Sequence, residues 1–390
     1  MGNKSLNILL IAKTLPWQFK GGIQTHTWEL ARSMNDLGHQ VSILNGGPFF
    51  SKQKSYTKKG IEVIQVPYFP GRYLKPVSLL AEELSFNWVV LRWVRKNHKQ
   101  YDIIHSQGRS GYLLSYYSQI RNRLVNTVHG LIDIENQDKK WYQLNYNLHH
   151  TFTRKVEDRL YKHAAGLVAV SNALKDELYV RRELKKDISV ISNGVKGLNL
   201  PRVLQCSTQS RFLFVGRLHP IKGITEIVNQ MDLADEHVFL DIIGDGSEKE
   251  KIKQIIDRKG LSKKVRLLGE YSNEEIHSLL PYYTALVLPS HYETQGIVLL
   301  EANSEGVPVI ASDLPSIRET ITHGENGMLC PVDDPASFIK AMNYMTHNTQ
   351  DARHMGIVGQ MRVKSDYSWH KVAEKTTSLY YTLKNEEAVQ

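Results

Sequence analysis

Two glutamates, Glu293 and Glu301, bracket the segment of this 390-residue chain richest in potential chemistry. Between them runs Thr294-Gln295-Gly296-Ile297-Val298-Leu299-Leu300, and before them a strand-like stretch ends at Pro289-Ser290. Gly296 marks a helix start, so free N–H groups at Gly296, Ile297 and Val298 would face a ligand with the helix dipole behind them, an arrangement suited to a diphosphate. The two carboxylates would stand roughly 12 Å apart on a continuous helix and so meet opposite ends of a ligand lying across its start. The competing reading, two surface glutamates on an amphipathic helix, accounts for neither the glycine nor the strand end. Upstream, Phe214-Val215-Gly216-Arg217-Leu218 is followed by Lys222-Gly223. Two cations in one loop can stabilise the charge of a departing diphosphate. Arg offers a two-pronged fork and Lys a mobile point charge; the alternative is two solvated loop cations. Ile243-Gly244-Asp245-Gly246 closes a further strand with glycines that would admit a nucleotide base.

The first half offers weaker signals. Gly21-Gly22 stands at the start of a helix, where backbone N–H groups can approach a phosphate or hydroxyl. It is not G-x-G-x-x-G, so the dinucleotide fingerprint is absent. His105 and His129 each close an apolar run, in Ile103-Ile104-His105 and Thr127-Val128-His129. They would point to one cleft or serve as structural hydrogen-bonders. No Cys, Asp or Glu stands beside them at metal-ligand spacing, so no metal site is expected.

Positioning these residues requires strand ends. Short apolar runs without alternation recur throughout, among them Ile8–Ala12, Val41–Leu44, Ile61–Val66, Leu124–Val128, Phe212–Val215, Val238–Ile243, Ala285–Leu288 and Val309–Ala311. Such runs mark strands buried on both faces. The helical segments between them imply parallel sheets with right-handed crossovers. A Gly/Pro/Ser-rich break at about residues 196–210 divides the chain into two doubly wound α/β domains, residues 1–200 and 201–367, facing a cleft, with ligands outside the carboxyl ends of the strands. A helix at Ser368–Leu383 follows, within a final segment 368–390.

Residues 1–200 carry fourteen more basic than acidic side chains, whereas the remainder carries five fewer, for a net +9. An anionic partner for the first half is one reading, a generally basic surface the other. Lys52, Lys54, Lys58 and Lys59, then Arg72, Lys75, Arg92, Arg95, Lys96 and Lys99 interleaved with Tyr73, Phe86, Trp88 and Trp93, would suit an anionic bilayer. Trp88, Val89, Leu91 and Trp93 would equally suit a core. No nucleic-acid motif accompanies the charge. No apolar run is long enough to span a membrane, and no signal peptide is read, so a cytoplasmic protein is expected, peripheral on the inner face of the membrane if it docks. Cys206 and Cys330 are expected as free thiols of a reducing compartment.

Taken together, Glu293 and Glu301, Gly216-Arg217 with Lys222-Gly223, Ser192-Asn193-Gly194-Val195, Gly306-Val307-Pro308-Val309-Ile310-Ala311-Ser312 and Gly324-Glu325-Asn326-Gly327 resemble family 4 of the retaining glycosyltransferases. That resemblance runs nearly end to end and implies the GT-B fold of two Rossmann-like domains. It implies that Glu293 binds donor-sugar hydroxyls and Glu301 the ribose, that Arg217 and Lys222 hold the diphosphate, and that His129 lines the reaction centre. Gly22, Gly216, Gly244, Gly246, Gly296, Ile297 and Val298 would line the donor; Gly21, His105 and Asn193 would meet the acceptor. The family's final helix crosses back to the N-terminal domain, which implies the same for Ser368–Leu383. No cofactor or metal is implied beyond the nucleotide-sugar donor. Two departures bear on sugar preference: Glu293-Thr294-Gln295-Gly296 replaces the usual Glu-Gly-Phe-Gly, and Leu314-Pro315-Ser316 replaces a Gly-Gly. The expected activity is transfer of a hexose-type sugar to an acceptor hydroxyl in bacterial cell-surface polysaccharide or glycolipid synthesis. The alternatives are a non-catalytic sugar-nucleotide binder and a nicotinamide-dependent oxidoreductase, the latter opposed by the missing fingerprint.

Overall fold

A computed structural model describes residues 5–19, 21–71, 74, 78–131, 143–196 and 210–389. Arg72, Tyr73, Lys75, Cys206 and most of the expected 196–210 break lie outside the described residues. The chain forms two compact units, Met1–Asn193 with Trp369–Gln390, and Gly194–Ser368.

In the first unit eight strands form one sheet: β1 (Asn7–Ile11), β2 (Gln40–Gly47), β3 (Lys54–Lys58), β4 (Ile61–Pro67), β5 (Ile103–Gln107), β6 (Leu124–Val128), β7 (Gly166–Ala169) and β8 (Ser189–Val190). Their order is β3-β4-β2-β1-β5-β6-β7-β8, parallel except for the antiparallel pair β3–β4. The non-alternating runs have the expected cause. Leu9, Ile11, Ile104 and Leu124 pack on one face with Phe86, Val90 and Val94 of the helix Ser78–Asn97. Their neighbours Ile8, Leu10, Ile103 and Val125 pack on the other, against Trp28, Ala31 and Met34 of the helix Gly22–Asp36 and Trp369, Val372 and Tyr380 of the helix Trp369–Val389. Burial on both faces leaves no polar side for alternation to mark.

The second unit carries β9 (Ser210–Val215), β10 (Val238–Ile243), β11 (Val265–Gly269), β12 (Ala285–Leu288), β13 (Val309–Ser312) and β14 (Gly327–Cys330) in the order β11-β10-β9-β12-β13-β14, all parallel. This is the doubly wound order 3-2-1-4-5-6, whose direction reverses between β9 and β12. Cys330 is a free thiol whose burial pushes its pKa up to about 11.

The basic first half divides between the two readings. Phe86 and Leu91 belong to the core, Val89 and Trp93 pack against it, and Trp88 alone of the described aromatics expected in that stretch is well exposed, at 58%. Lys54 and Lys58 of the lysine-rich stretch lie on the edge strand β3, whose every residue is exposed. No helix among the described residues is long and apolar enough to cross a membrane.

Candidate active site

Loops at the carboxyl ends of strands on either side of a direction reversal are where doubly wound sheets bind ligands. In the second unit these loops follow β9 and β12, and they are joined. His291 N–H donates to Ile221 O at 2.8 Å. Pro220–Lys222 forms a single 3-10 turn whose first free N–H, that of Ile221, is capped by His219 Nδ1. Gly223 then turns with φ +64°, and a Cβ there would stand 2.0 Å from the Pro289 carbonyl oxygen. Only glycine allows both the dihedral and the approach.

This junction brings Lys222 and Glu293 together. Lys222 Nζ donates to Glu293 Oε1 at 2.5 Å, and Ser290 Oγ donates to the same oxygen at 2.9 Å. Ser316 Oγ donates to the Glu293 carbonyl at 2.6 Å and fixes the loop from below. Both partners of the ion pair are part-buried. Arg217, in the same β9 loop, is exposed. Ser290 and Ser316 escaped the sequence reading; their only signals were a place at a strand end and one where the family pattern changes.

Gly296 follows with φ +74° and precedes the helix Ile297–Ser304, whose start has no side-chain cap. The stretch from Glu293 to Gly296 is therefore not helical, and the expected 12 Å of continuous helix between the glutamates is corrected by this left-handed turn. Glu301 lies on that helix. Burial raises its pKa, the nearby His277 lowers it, and the Glu305 carboxylate raises it again. His277 Nδ1 lies 2.7 Å from Glu305 Oε1. Although burial opposes it, that bond with the charges of Glu301 and Glu305 raises the His277 pKa.

The glycines after β9 and β10 have an intramolecular reason. A Cβ on Gly244 would fall 1.9 Å from the Gly216 carbonyl oxygen, and one on Gly246 2.4 Å from that of Leu218. Leu218 N–H donates to Asp245 O at 2.9 Å between the same loops. Gly244 and Gly246 are thus required by loop-on-loop packing, where the sequence reading gave them to a base.

In the first unit Gly21 is extended and Gly22 opens its helix; both are exposed. His129 stands just beyond β6, and its Nε2 lies 2.9 Å from Gln107 Oε1. His105 and Asn193 stand among buried partners. His105 is 1% exposed, with Nδ1 2.5 Å from the Tyr380 hydroxyl and Nε2 2.7 Å from Thr127 Oγ1, so it has no free nitrogen for an acceptor. Asn193 is buried, its Oδ1 2.7 Å from His26 Nδ1. The His26 and His129 rings meet edge to face, with centroids 4.7 Å apart. Burial lowers all three imidazoles, His26 to about 4, His105 to about 3 and His129 well below the ordinary range. Among the described residues no group of three or more His, Cys, Asp or Glu is placed to hold a metal ion.

Two family models match in tandem: "Glycosyltransferase Family 4" over residues 20–196 and "Glycosyl transferases group 1" over residues 201–361. The chain belongs to glycosyltransferase family 4. As a glycosyltransferase it is similar to the glycogen synthase of Mycobacterium tuberculosis, 23% identical with 98% of this chain and 96% of the relative covered. It is also similar to a subunit of phosphatidylinositol N-acetylglucosaminyltransferase of Saccharomyces cerevisiae, 27% identical over 92% of this chain and 79% of that one. Among solved structures, sucrose-phosphate synthase from Thermosynechococcus elongatus shares the fold with a TM-score of 0.80 at 21% identity, covering 97% of this chain and 99% of that one. HepE of Anabaena, solved in complex with UDP-glucose, superposes with a TM-score of 0.73 at 18% identity, with 97% of this chain and 100% of that one covered. Such neighbours establish the transferase as a GT-B fold of two parallel-sheet α/β domains.

Proposed function

We propose that this glycosyltransferase moves a hexose-type sugar from a nucleotide diphosphate sugar to an acceptor hydroxyl with retention at the anomeric carbon and without a metal ion. The observation that carries the reading is the Lys222–Glu293 pair at the direction reversal of the second sheet, with the uncapped start of Ile297–Ser304 close by in the chain. Cation, carboxylate and free N–H groups supply what a sugar diphosphate needs: charge for the phosphates and an acceptor for sugar hydroxyls. Lys222 and Arg217 stabilise the departing diphosphate, Glu293 holds the sugar and Glu301 the ribose. The acceptor hydroxyl enters on the face the diphosphate leaves; its oxygen bonds to the anomeric carbon as the carbon–oxygen bond to the diphosphate breaks. A phosphate oxygen takes its proton. His129 receives a substrate hydroxyl. HepE, in complex with UDP-glucose, supports a uridine donor as the first to test.

The acceptor is lipid-linked and the site of work an anionic cytoplasmic membrane surface, as in bacterial cell-surface polysaccharide or glycolipid synthesis. Support comes from the excess of basic side chains in residues 1–200 and from the exposed Lys54 and Lys58 of β3 with Trp88. A thermal-shift screen against UDP-, GDP-, ADP- and dTDP-sugars tests the donor, because a matched ligand raises Tm by mass action. Stabilisation by none of them overturns it; an inverted anomeric configuration by NMR of the product overturns retention. Co-sedimentation with anionic but not neutral vesicles, weakened by salt, supports docking. Equal recovery in both supernatants points to a soluble acceptor.

A further inference from the structure

His129 sits on a run of side chains that a substrate contact alone leaves unexplained. Its Nε2 lies 2.9 Å from Gln107 Oε1; Gln107 Nε2 lies 3.5 Å from His105 Nε2; and His105 Nε2 also lies 2.7 Å from Thr127 Oγ1. The His105 Nδ1 end is closed by the Tyr380 hydroxyl at 2.5 Å. Gln107, His105 and Tyr380 are all at most 1% exposed, so water cannot substitute for a missing partner without reorganisation.

With Gln107 Oε1 on the His129 side, the bonding rules of these groups place the protons. An amide oxygen only accepts and an amide nitrogen only donates. The contact with Gln107 Oε1 therefore requires a proton on His129 Nε2, which leaves His129 Nδ1 bare. At the other end of the amide, Gln107 Nε2 faces His105 Nε2, so that nitrogen is bare and the His105 proton resides on Nδ1, donated to Tyr380. Turning the amide over would set its NH2 against the His129 N–H and its oxygen against the lone pair of His105. Both contacts would be repulsive unless both imidazoles changed tautomer with it, so Gln107, His105 and His129 can switch only as a set.

We propose that Gln107 is a positioning residue that locks His129 in its Nε2–H tautomer, so that His129 presents Nδ1 as a hydrogen-bond acceptor to a sugar hydroxyl. The proposal rests on the assignment of His129 to the substrate given above. Its consequence is selective: a bare imidazole nitrogen welcomes a hydroxyl donor and repels a carboxylate or phosphate oxygen. Burial keeps His129 neutral, so the acceptor does not titrate away over the working range. Among the described residues, the titratable groups that act on it are the imidazoles of His26, from the helix Gly22–Asp36, and His105, from β5.

Nitrogen-15 NMR of the full chain labelled in histidine, with kcat measured from pH 5.5 to 9, tests the lock. The wild type should show His129 as the Nε2–H tautomer and a kcat without a histidine inflection. In Gln107→Met the tautomer should be released and kcat should fall about tenfold, the scale of one misplaced hydrogen bond. Gln107→Glu, with one carboxylate oxygen accepting the His129 N–H and the other accepting from His105 once its proton moves to Nε2, should restore the His129 tautomer and most of kcat at high pH. It should also create an acid limb, because the new charge raises the His129 pKa and kcat then falls as pH drops through it. An Nδ1–H tautomer in the wild type, or an unchanged tautomer in Gln107→Met, overturns the lock. A tautomer that switches while kcat stays constant upholds the lock and overturns the placement of His129 at the substrate. Should Gln107→Met fail to fold, the wild-type spectrum and the Gln107→Glu profile still decide.

Discussion

The histidines around the two candidate sites are held in opposite ways. His26 and His105 of the first unit are buried and His129 is half-buried, all among neutral partners, and desolvation holds the three uncharged. His277 of the second is held by the Glu305 carboxylate with Glu301 nearby, and its pKa is raised. The difference follows the chemistry proposed for each. A diphosphate needs charge, and the second unit supplies it through Lys222, Arg217 and a bare helix start. A hydroxyl needs oriented acceptors and donors, and a neutral network supplies these without attracting counter-ions.

That contrast is open to attack on several fronts. The largest effect is expected from acid. A histidine whose folded pKa is depressed contributes stability that is present above its unfolded value of about 6.5 and is lost as pH falls towards the folded value. Each imidazole of the trio contributes up to about 1.4 kcal/mol per pH unit below that point, so the three together give about 4 kcal/mol per unit. His277 has the reverse sign: its contribution is complete below 6.5 and is lost as pH rises through its raised value. Between pH 6.5 and 4 the first unit should therefore lose its hydrogen-exchange protection before the second. Simultaneous loss would erase the contrast.

Turnover comes next. Lys222→Ala and Arg217→Ala should each lower kcat by roughly 10²–10³, the scale for one preorganised charge stabiliser. Steady-state kinetics with the donor found by thermal shift would measure this, and a loss of only twofold in both would remove charge from the account. Gly223→Ala should then destabilise the second unit by roughly 2–3 kcal/mol, since the left-handed dihedral and the Pro289 carbonyl both oppose a methyl group. Urea titration should register it as a lower midpoint at constant slope. A smaller change is expected in Glu301→Ala: nucleotide affinity weakened about tenfold by the loss of one charged hydrogen-bond acceptor, with kcat at saturation nearly kept. Calorimetric titration with the nucleoside diphosphate would show it, and an unchanged affinity would move the ribose elsewhere.

What the sequence disclosed about the fold depended on burial. Leu124–Val128, Val238–Ile243 and Ala285–Leu288 were read with the ends they have in the structure, because strands covered on both faces leave apolar-rich runs without alternation. β3 was missed for the same reason turned about: Lys54-Ser55-Tyr56-Thr57-Lys58 is exposed along its whole length, and its antiparallel pairing with β4 is made by backbone. Lysines there also discourage edge-to-edge association with another chain. At the site, glycines announced themselves, but the side chains that hold Glu293 and His129 did not. Ser290, Ser316 and Gln107 are ordinary polar residues whose importance lies in what the fold places within 3 Å of them. Gly244 and Gly246 also serve the fold itself: each admits a carbonyl of the β9 loop at close range, a use that the sequence pattern alone does not separate from room for a ligand.

The helix Trp369–Val389 has a consequence for the order in which this chain can mature. Trp369, Val372, Ala373 and Tyr380 complete one face of the first sheet, yet they leave the ribosome only after every residue of the second unit. Until then Ile8, Leu10, Ile103 and Val125 lack part of their cover, and His105 lacks the hydroxyl of Tyr380. The portion synthesised first is thus finished last, while the second unit has all its strands in one continuous stretch and can fold in the meantime. A ribosome that stops short of residue 369 releases a chain with a sound second unit and an unsealed first one. Such a product displays apolar surface to chaperones and proteases.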